Sequence, residues 1–115
     1  MGVYVFESLY LPIIKIGHYR GSNAWSRISH RGFHSASPPE SLLGRVNVHD
    51  FDLRYWFPRR NNADEIQLQE FLSSWRISGE WFHAEALQSV SLLISDENFA
   101  EHCNKFEAIN AKNRL

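Results

Sequence analysis

Two side chains near the start of the chain could move a proton or hold an anion. Tyr4 interrupts the apolar run VYVF, and Lys15 interrupts the apolar run IIKIG. A tyrosine in a strand can place its hydroxyl at the surface, and a lysine in such a strand either extends its long stem to water or meets an anion. For Tyr4 the sequence leaves open a surface hydroxyl or a functional one. For Lys15 it leaves open an ammonium exposed to water or one bound to an anion.

Glu65 is a third candidate, because its position in a predicted helix conflicts with its charge. It precedes Leu68 by three residues and Leu72 by seven, so it shares their apolar stripe. A carboxylate on such a stripe needs a positive partner, either a divalent cation or an arginine. The structural alternative is a capping box, because Asn62 lies three residues before Glu65.

Basic residues are concentrated in the first half of the chain. Residues 1–60 hold eight Lys and Arg against four Asp and Glu, whereas residues 61–115 hold four against nine, and the formal net charge is −1. No acid lies between Glu7 and Glu40. A nearly neutral chain can bind a polyanion if its bases share a face, and the alternative is that the charges are scattered over the surface.

The elements that must position these residues follow from hydrophobic periodicity. The 115 residues predict a single domain, 1–115. Alternation predicts strands over 2–7, 13–17 and 46–57, with the first two paired as a hairpin. The predicted third strand places Phe51, Leu53, Tyr55 and Phe57 on one face, with Gly17 ending the second strand and Pro58 the third. Helices are predicted near 23–30, 62–76, 84–94 and 96–109, with a short extended piece at 80–83.

These elements predict a small α/β domain of the α+β type, in which helices flank a three-stranded antiparallel sheet. The single cysteine, Cys103, cannot form an internal disulfide, and no apolar run approaches the ~20 residues of a membrane span. No signal-peptide pattern begins the chain. We therefore expect an intracellular protein, cytoplasmic or nuclear, that does not associate with membranes.

Several of these residues together resemble the motifs of the GIY-YIG endonuclease superfamily. GVY at 2–4 is similar to the first motif, and KIG at 15–17 stands where YIG normally stands. Arg27, Glu65 and GEWF at 79–82 follow in the family's order and spacing. The resemblance covers residues 2–85, and residues 86–115 are expected to be a helical C-terminal extension.

The resemblance implies a three-stranded sheet flanked by helices and the metal-dependent hydrolysis of phosphodiester bonds in DNA. Glu65 would bind one divalent cation, Mg2+ or Mn2+, with water completing its coordination. Arg27 would hold a phosphate oxygen. Tyr4 would orient or deprotonate the attacking water, and Lys15 would assist it or act as the base itself. Phosphate contacts are expected from Arg20, Arg31, Arg59 and Arg60.

The chain departs from the family pattern at three positions. Lys15 replaces the tyrosine of the second motif. Arg31 stands where the family often has a histidine, and His30, Tyr19 or His18 could substitute for it. Glu80 stands where the family has an asparagine, and helix spacing suggests a structural pairing with Arg76.

Two other classes of function remain open on the sequence. One is a nucleic-acid-binding module without catalysis, and the other is a small scaffold whose acidic second half docks a partner. Because no separate DNA-reading domain fits this length, target choice would come from DNA structure, from a homodimer or from a targeting partner.

Overall fold

The computed structural model describes residues 1–21, 38–47 and 50–95, with side chains up to residue 92. Within them a five-stranded antiparallel sheet has the order β3-β1-β2-β5-β4. The strands are β1 (Gly2–Ser8), β2 (Ile13–Tyr19), β3 (Phe51–Pro58), β4 (Arg76–Ser78) and β5 (Trp81–His83). The helices are α1 (Asn62–Phe71) and α2 (Ala86–Ser95), with single 3₁₀ turns at Glu40–Leu42 and Ser73–Trp75.

The first two strands form the predicted hairpin at the centre of the sheet. β1 and β2 pair antiparallel from Gly2 opposite Tyr19 to Glu7 opposite Ile14, which confirms the pairing. Both strands are buried along almost their whole length, as their apolar runs require. Gly17 does not end β2, because the strand continues for two residues to Tyr19.

The prediction of a three-stranded sheet is wrong, because the structure adds β4 and β5. The helix predicted over 62–76 ends at Phe71, and the chain returns to the sheet from Arg76. Ser73 and Ser74 are weak helix formers, and Gly79 adopts a positive φ of 54° in the turn between the two short strands. Trp81 and Phe82 favour strands, and the extended piece predicted at 80–83 is confirmed as β5 beside β2.

A bulge makes the predicted face of the third strand wrong as well. The β1–β3 register shifts between Val5 and Phe6, so that Val5 lies opposite Tyr55 and Phe6 opposite Leu53. Because paired residues share a face, Leu53 lies on the opposite face from Tyr55. The strand also begins at Phe51 rather than at residue 46, and it includes Pro58. An edge strand tolerates a proline there because one side of it makes no ladder bonds.

The N-terminus of α1 corrects the capping prediction. Asn61 is the N-cap, and its side chain accepts a hydrogen bond from the Asp64 backbone at 3.0 Å. The Asp64 carboxylate accepts one from the Asn61 backbone at 2.9 Å, which completes the capping box. Asn62 and Glu65 are therefore not the capping pair, and Glu65 is buried instead.

The second helix packs near the predicted position and helps cover the sheet. The helix predicted over 84–94 is observed as Ala86–Ser95, and Ala86 and Val90 are buried in the core. The Tyr55 hydroxyl lies 3.0 Å from Ser91 Oγ. Neither helix of the described chain has the length and apolarity needed to cross a membrane. The helices predicted near 23–30 and 96–109 lie outside the described residues.

Candidate active site

The hairpin places Tyr4, Lys15 and Gly17 on one face of the sheet. Tyr4 lies opposite Gly17, and Lys15 lies opposite Phe6, the residue two positions along from Tyr4. Lys15 Nζ donates a hydrogen bond of 2.6 Å to the Tyr4 hydroxyl, and both side chains are fully buried. The ammonium also lies 4.9 Å from the centre of the Tyr4 ring. Lys15 therefore does not extend to water.

Gly17 creates the space in which the Tyr4 hydroxyl meets Lys15. A methyl group added at Gly17 would overlap the Tyr4 hydroxyl and would lie 2.9 Å from Glu80 Oε1. Glycine is thus required at position 17 because the Tyr4 side chain packs directly against its Cα. This contact explains a glycine on a central strand, where glycine otherwise weakens pairing.

Gly17→Ala is expected to destabilise the protein by about 1–3 kcal/mol, because the Tyr4 ring must move in a packed core. Urea denaturation measures this change. The double variant Tyr4→Phe/Gly17→Ala should be less destabilised than the sum of its single changes, because one of the two overlapping Tyr4 atoms, the hydroxyl oxygen, is gone while the ring carbon Cζ remains. Strict additivity of the two changes would contradict the contact.

Glu80 is the residue of this cluster that the sequence interpretation missed. Its Oε1 lies 2.6 Å from Lys15 Nζ, in an ion pair with a fully buried lysine. Its backbone carbonyl accepts a 2.9 Å hydrogen bond from the Ile16 amide, so both its backbone and its side chain contact β2. The predicted pairing of Glu80 with Arg76 is wrong, because residues 76–80 form a strand and turn in which Arg76 donates instead to Gln69 at 3.0 Å.

Glu65 joins the cluster from α1 and is held by Gln69, one helical turn later. Gln69 Nε2 donates to Glu65 Oε2 at 2.9 Å and to the Ile16 carbonyl at 2.9 Å. Arg76 fixes the other end of the Gln69 amide, and its guanidinium packs 5.2 Å from the Phe82 ring. Gln69 was not predicted, although its i+4 spacing from Glu65 is a signal that was available. These bonds fix the Glu65 carboxyl beside that of Glu80.

Burial, together with the negative charge of Glu80, raises the pKa of Glu65 from its ordinary value of 4.5 to about 7. A hydrogen bond between the two carboxyl groups acts in the same direction, whereas Lys15 and Gln69 act against it. Near neutral pH a substantial fraction of the Glu65 carboxyl groups is therefore protonated.

Stability of the metal-free protein is expected to fall as the pH rises from about 4.5 to about 7. In this window the folded protein holds a proton on Glu65 that the unfolded chain has lost. The free energy of unfolding therefore falls by up to about 1.4 kcal/mol per pH unit, and this contribution levels off above about pH 7. Urea denaturation of the wild type and of Glu65→Gln across this range isolates the effect. An identical pH dependence in both proteins would contradict it.

Some of the remaining predicted site residues lie in the described part of the chain, and the others lie outside it. Tyr19, half-buried, follows Lys15 and Gly17 at alternate positions of β2 and so shares their face, whereas His18 lies on the other face. Because Gly2 lies opposite both Tyr19 and Pro58, the basic residues that follow those two positions lie at the same end of the sheet: Arg20, Arg59 and Arg60. Three predicted residues lie outside the described chain: Arg27, His30 and Arg31.

The chemistry of the cluster fits a divalent cation held by few protein ligands. Glu65 and Glu80 bring two carboxyl groups together, and a cation would relieve their repulsion. Within residues 1–21, 38–47 and 50–95, no three His, Cys, Asp or Glu side chains gather closely enough to hold a metal ion. A cation bound at Glu65 would therefore take most of its ligands from water, as Mg2+ commonly does.

Comparisons of the chain with protein-family models, with curated proteins and with solved structures found no match. The resemblance to GIY-YIG endonucleases therefore depends on its five sequence motifs and stays a prediction.

Proposed function

We propose that the chain is a metal-dependent endonuclease of the GIY-YIG type that hydrolyses phosphodiester bonds in DNA. One observation supports the proposal most strongly. Tyr4 and Lys15, from two adjacent strands, bond each other directly, and Glu80 connects Lys15 to Glu65, which lies 50 residues further along the chain. A buried phenol, an ammonium and two carboxyl groups are a costly arrangement for a core unless the cluster serves chemistry.

Tyr4 is the base in this proposal, and Lys15 supports it. Once its own proton has passed to water, the Tyr4 oxygen accepts a proton from the attacking water molecule. That water oxygen bonds to phosphorus, the bond from phosphorus to the leaving oxygen breaks, and the leaving oxygen takes a proton from solvent. The Lys15 ammonium donates to the Tyr4 oxygen at 2.6 Å, so it stabilises negative charge there.

Glu65 and Glu80 supply the negative charge that would hold the cation. A bound Mg2+ or Mn2+ supplies positive charge at the phosphate oxygens. Glu80 contacts both Lys15 and Glu65 and is the most exposed of the four, with 25% of its side chain accessible. Water and substrate therefore approach the Tyr4–Lys15 pair from the side of Glu80.

A second candidate is a nucleic-acid-binding module without catalysis, and one observation favours it. The Lys15 ammonium already has an anionic partner in Glu80, at the place where a substrate phosphate would be neutralised. In this alternative the buried ion pair is structural, and the arginines at the end of the sheet contact phosphates without cleavage.

Nicking of supercoiled plasmid in Mg2+ or Mn2+, with EDTA as the control, tests the proposal. If the protein is a nuclease, it should convert supercoiled plasmid to nicked circles only when metal is present. Salt-dependent DNA binding in EDTA without nicking in either metal would favour the binding module. Neither nicking nor salt-dependent binding would overturn both.

A further inference from the structure

Two nitrogens of the Arg60 guanidinium are buried and donate no hydrogen bond to the described residues. Its Nε and Nη2 atoms are both buried, and neither has a hydrogen-bond partner. These two nitrogens form one edge of the guanidinium plane, the edge that donates two parallel hydrogen bonds to a carboxylate or a phosphate. A buried donor without a partner is destabilising, so this edge favours any anion that can reach it.

A carboxylate partner for Arg60 is hard to find in the neighbouring sequence. Of the segments that the structure does not describe, 22–37 and 48–49 contain no Asp or Glu, whereas residues 96–115, far from Arg60 in sequence, contain Asp96, Glu97, Glu101 and Glu107. The nearest acids along α1 are Asp64, which closes the capping box with Asn61, and Glu65, which bonds Gln69. The helix N-terminus is thus already occupied, and Arg60 itself is the available donor.

Arg60 lies in the turn that connects the end of β3 to α1. Arg59 adopts a positive φ of 59°, which is uncommon for a residue with a side chain, and its amide donates to the Met1 carbonyl at 2.7 Å. Arg60 directly precedes Asn61, the N-cap of α1, the helix that carries Glu65. Arg60 is half-buried, and its side chain can rotate without breaking a hydrogen bond at either nitrogen.

We propose that the Nε–Nη2 edge of Arg60, in the turn that precedes α1, binds a backbone phosphate of the nucleic acid. The identity of this ligand rests on the proposed nuclease function, whereas the capacity to bind an anion rests on Arg60 alone. The site differs from a general basic surface, because it requires a guanidinium edge and not only a positive charge.

The test compares Arg60→Lys with Arg54→Lys, and both changes keep the net charge. Arg54 is an exposed arginine of β3 whose guanidinium lies 3.3 Å from Glu7, so its substitution is a matched control. In EDTA, fluorescence anisotropy with a short DNA duplex should show about tenfold weaker binding for Arg60→Lys, because one bidentate contact is lost. Arg54→Lys should bind within about twofold of the wild type, because both charges remain.

A second measurement uses the wild type alone and does not depend on how the variants fold. Inorganic phosphate, added at constant ionic strength, should shift the Arg60 Nε–H signal in proton–nitrogen NMR spectra and reach saturation. No shift with phosphate would overturn the anion site. A shift with phosphate but equal DNA affinity in the wild type and Arg60→Lys would overturn its assignment to nucleic acid.

These results can be separated from the fate of the nuclease proposal. Both measurements are made without metal and without cleavage. Absence of plasmid nicking together with weaker DNA binding by Arg60→Lys would leave the phosphate site standing on a non-catalytic protein. Nicking that is unaffected by Arg60→Lys, with unchanged DNA affinity, would remove the site and leave the nuclease.

Discussion

Glu65→Gln is expected to abolish metal-dependent DNA cleavage, by orders of magnitude, while the protein folds normally. The carboxamide has the shape of the carboxyl group and can keep both contacts of Glu65. Its oxygen can accept from Gln69, and its nitrogen can donate to the Glu80 carboxylate. It cannot supply the negative charge that a hard cation prefers. Glu65→Gln should therefore lower the rate of DNA cleavage without lowering the free energy of unfolding.

Stability measurements complete the test of Glu65. At neutral pH the variant should be as stable as the wild type or more stable, because it removes a carboxyl group that is costly to ionise beside Glu80. Mg2+ or Mn2+ should raise the melting temperature of the wild type more than that of the variant, since a ligand of the folded state stabilises it by mass action. Glu70→Gln, on an exposed position of the same helix, is the control and should behave as the wild type does. Full cleavage by Glu65→Gln would overturn the metal assignment.

Lys15→Met is expected to remove most of the activity and to destabilise the protein by about 3 kcal/mol. Methionine fills a similar volume in the core, but it leaves Glu80 and the Tyr4 hydroxyl without the ammonium that bonds both at 2.6 Å. Glu80 would then lie next to Glu65 without the charge of Lys15 to offset the repulsion. Urea denaturation and plasmid nicking measure the two losses separately.

The double variant Lys15→Met/Glu80→Gln distinguishes the ion pair from simple packing. Removing the negative charge of Glu80 should restore much of the lost stability, because both charges of the Lys15–Glu80 pair are then removed together. Activity should stay lost, because the proposed support of Tyr4 is still absent. Recovery of nicking in the double variant would contradict the role proposed for Lys15, and a single variant as active as the wild type would do so too.

The part of the site that lies on the β1–β2 hairpin could be predicted because its residues are close together in the sequence. Tyr4 and Gly17 belong to two adjacent strands joined by a short turn, so alternation and loop length are sufficient to pair them. The burial of Lys15 could not be predicted in the same way, because its partner Glu80 is 65 residues away. Glu80 lies in the turn between β4 and β5. The extended piece at 80–83 was predicted without its place beside β2, and the three residues of β4 carry too little periodicity to be recognised from the sequence.

The sequence alone could not decide which of two residue pairs caps α1, and the role of Glu65 depends on that choice. NNADE contains overlapping capping patterns, Asn61 with Asp64 and Asn62 with Glu65, and both have the required spacing. The structure uses the first pair. Only this choice frees Glu65 to accept a hydrogen bond from Gln69, whose Nε2 also donates to the Ile16 carbonyl, and these contacts depend on tertiary packing.

A crystal structure of the protein with Mn2+ and a phosphorothioate DNA duplex, which resists cleavage, tests the central claim most directly. We expect an anomalous Mn2+ peak in contact with the Glu65 carboxylate. We also expect a backbone phosphate that faces Tyr4 and Lys15, with Arg27 lining the same cleft. DNA bound away from this cluster, or Mn2+ bound without Glu65, would contradict it.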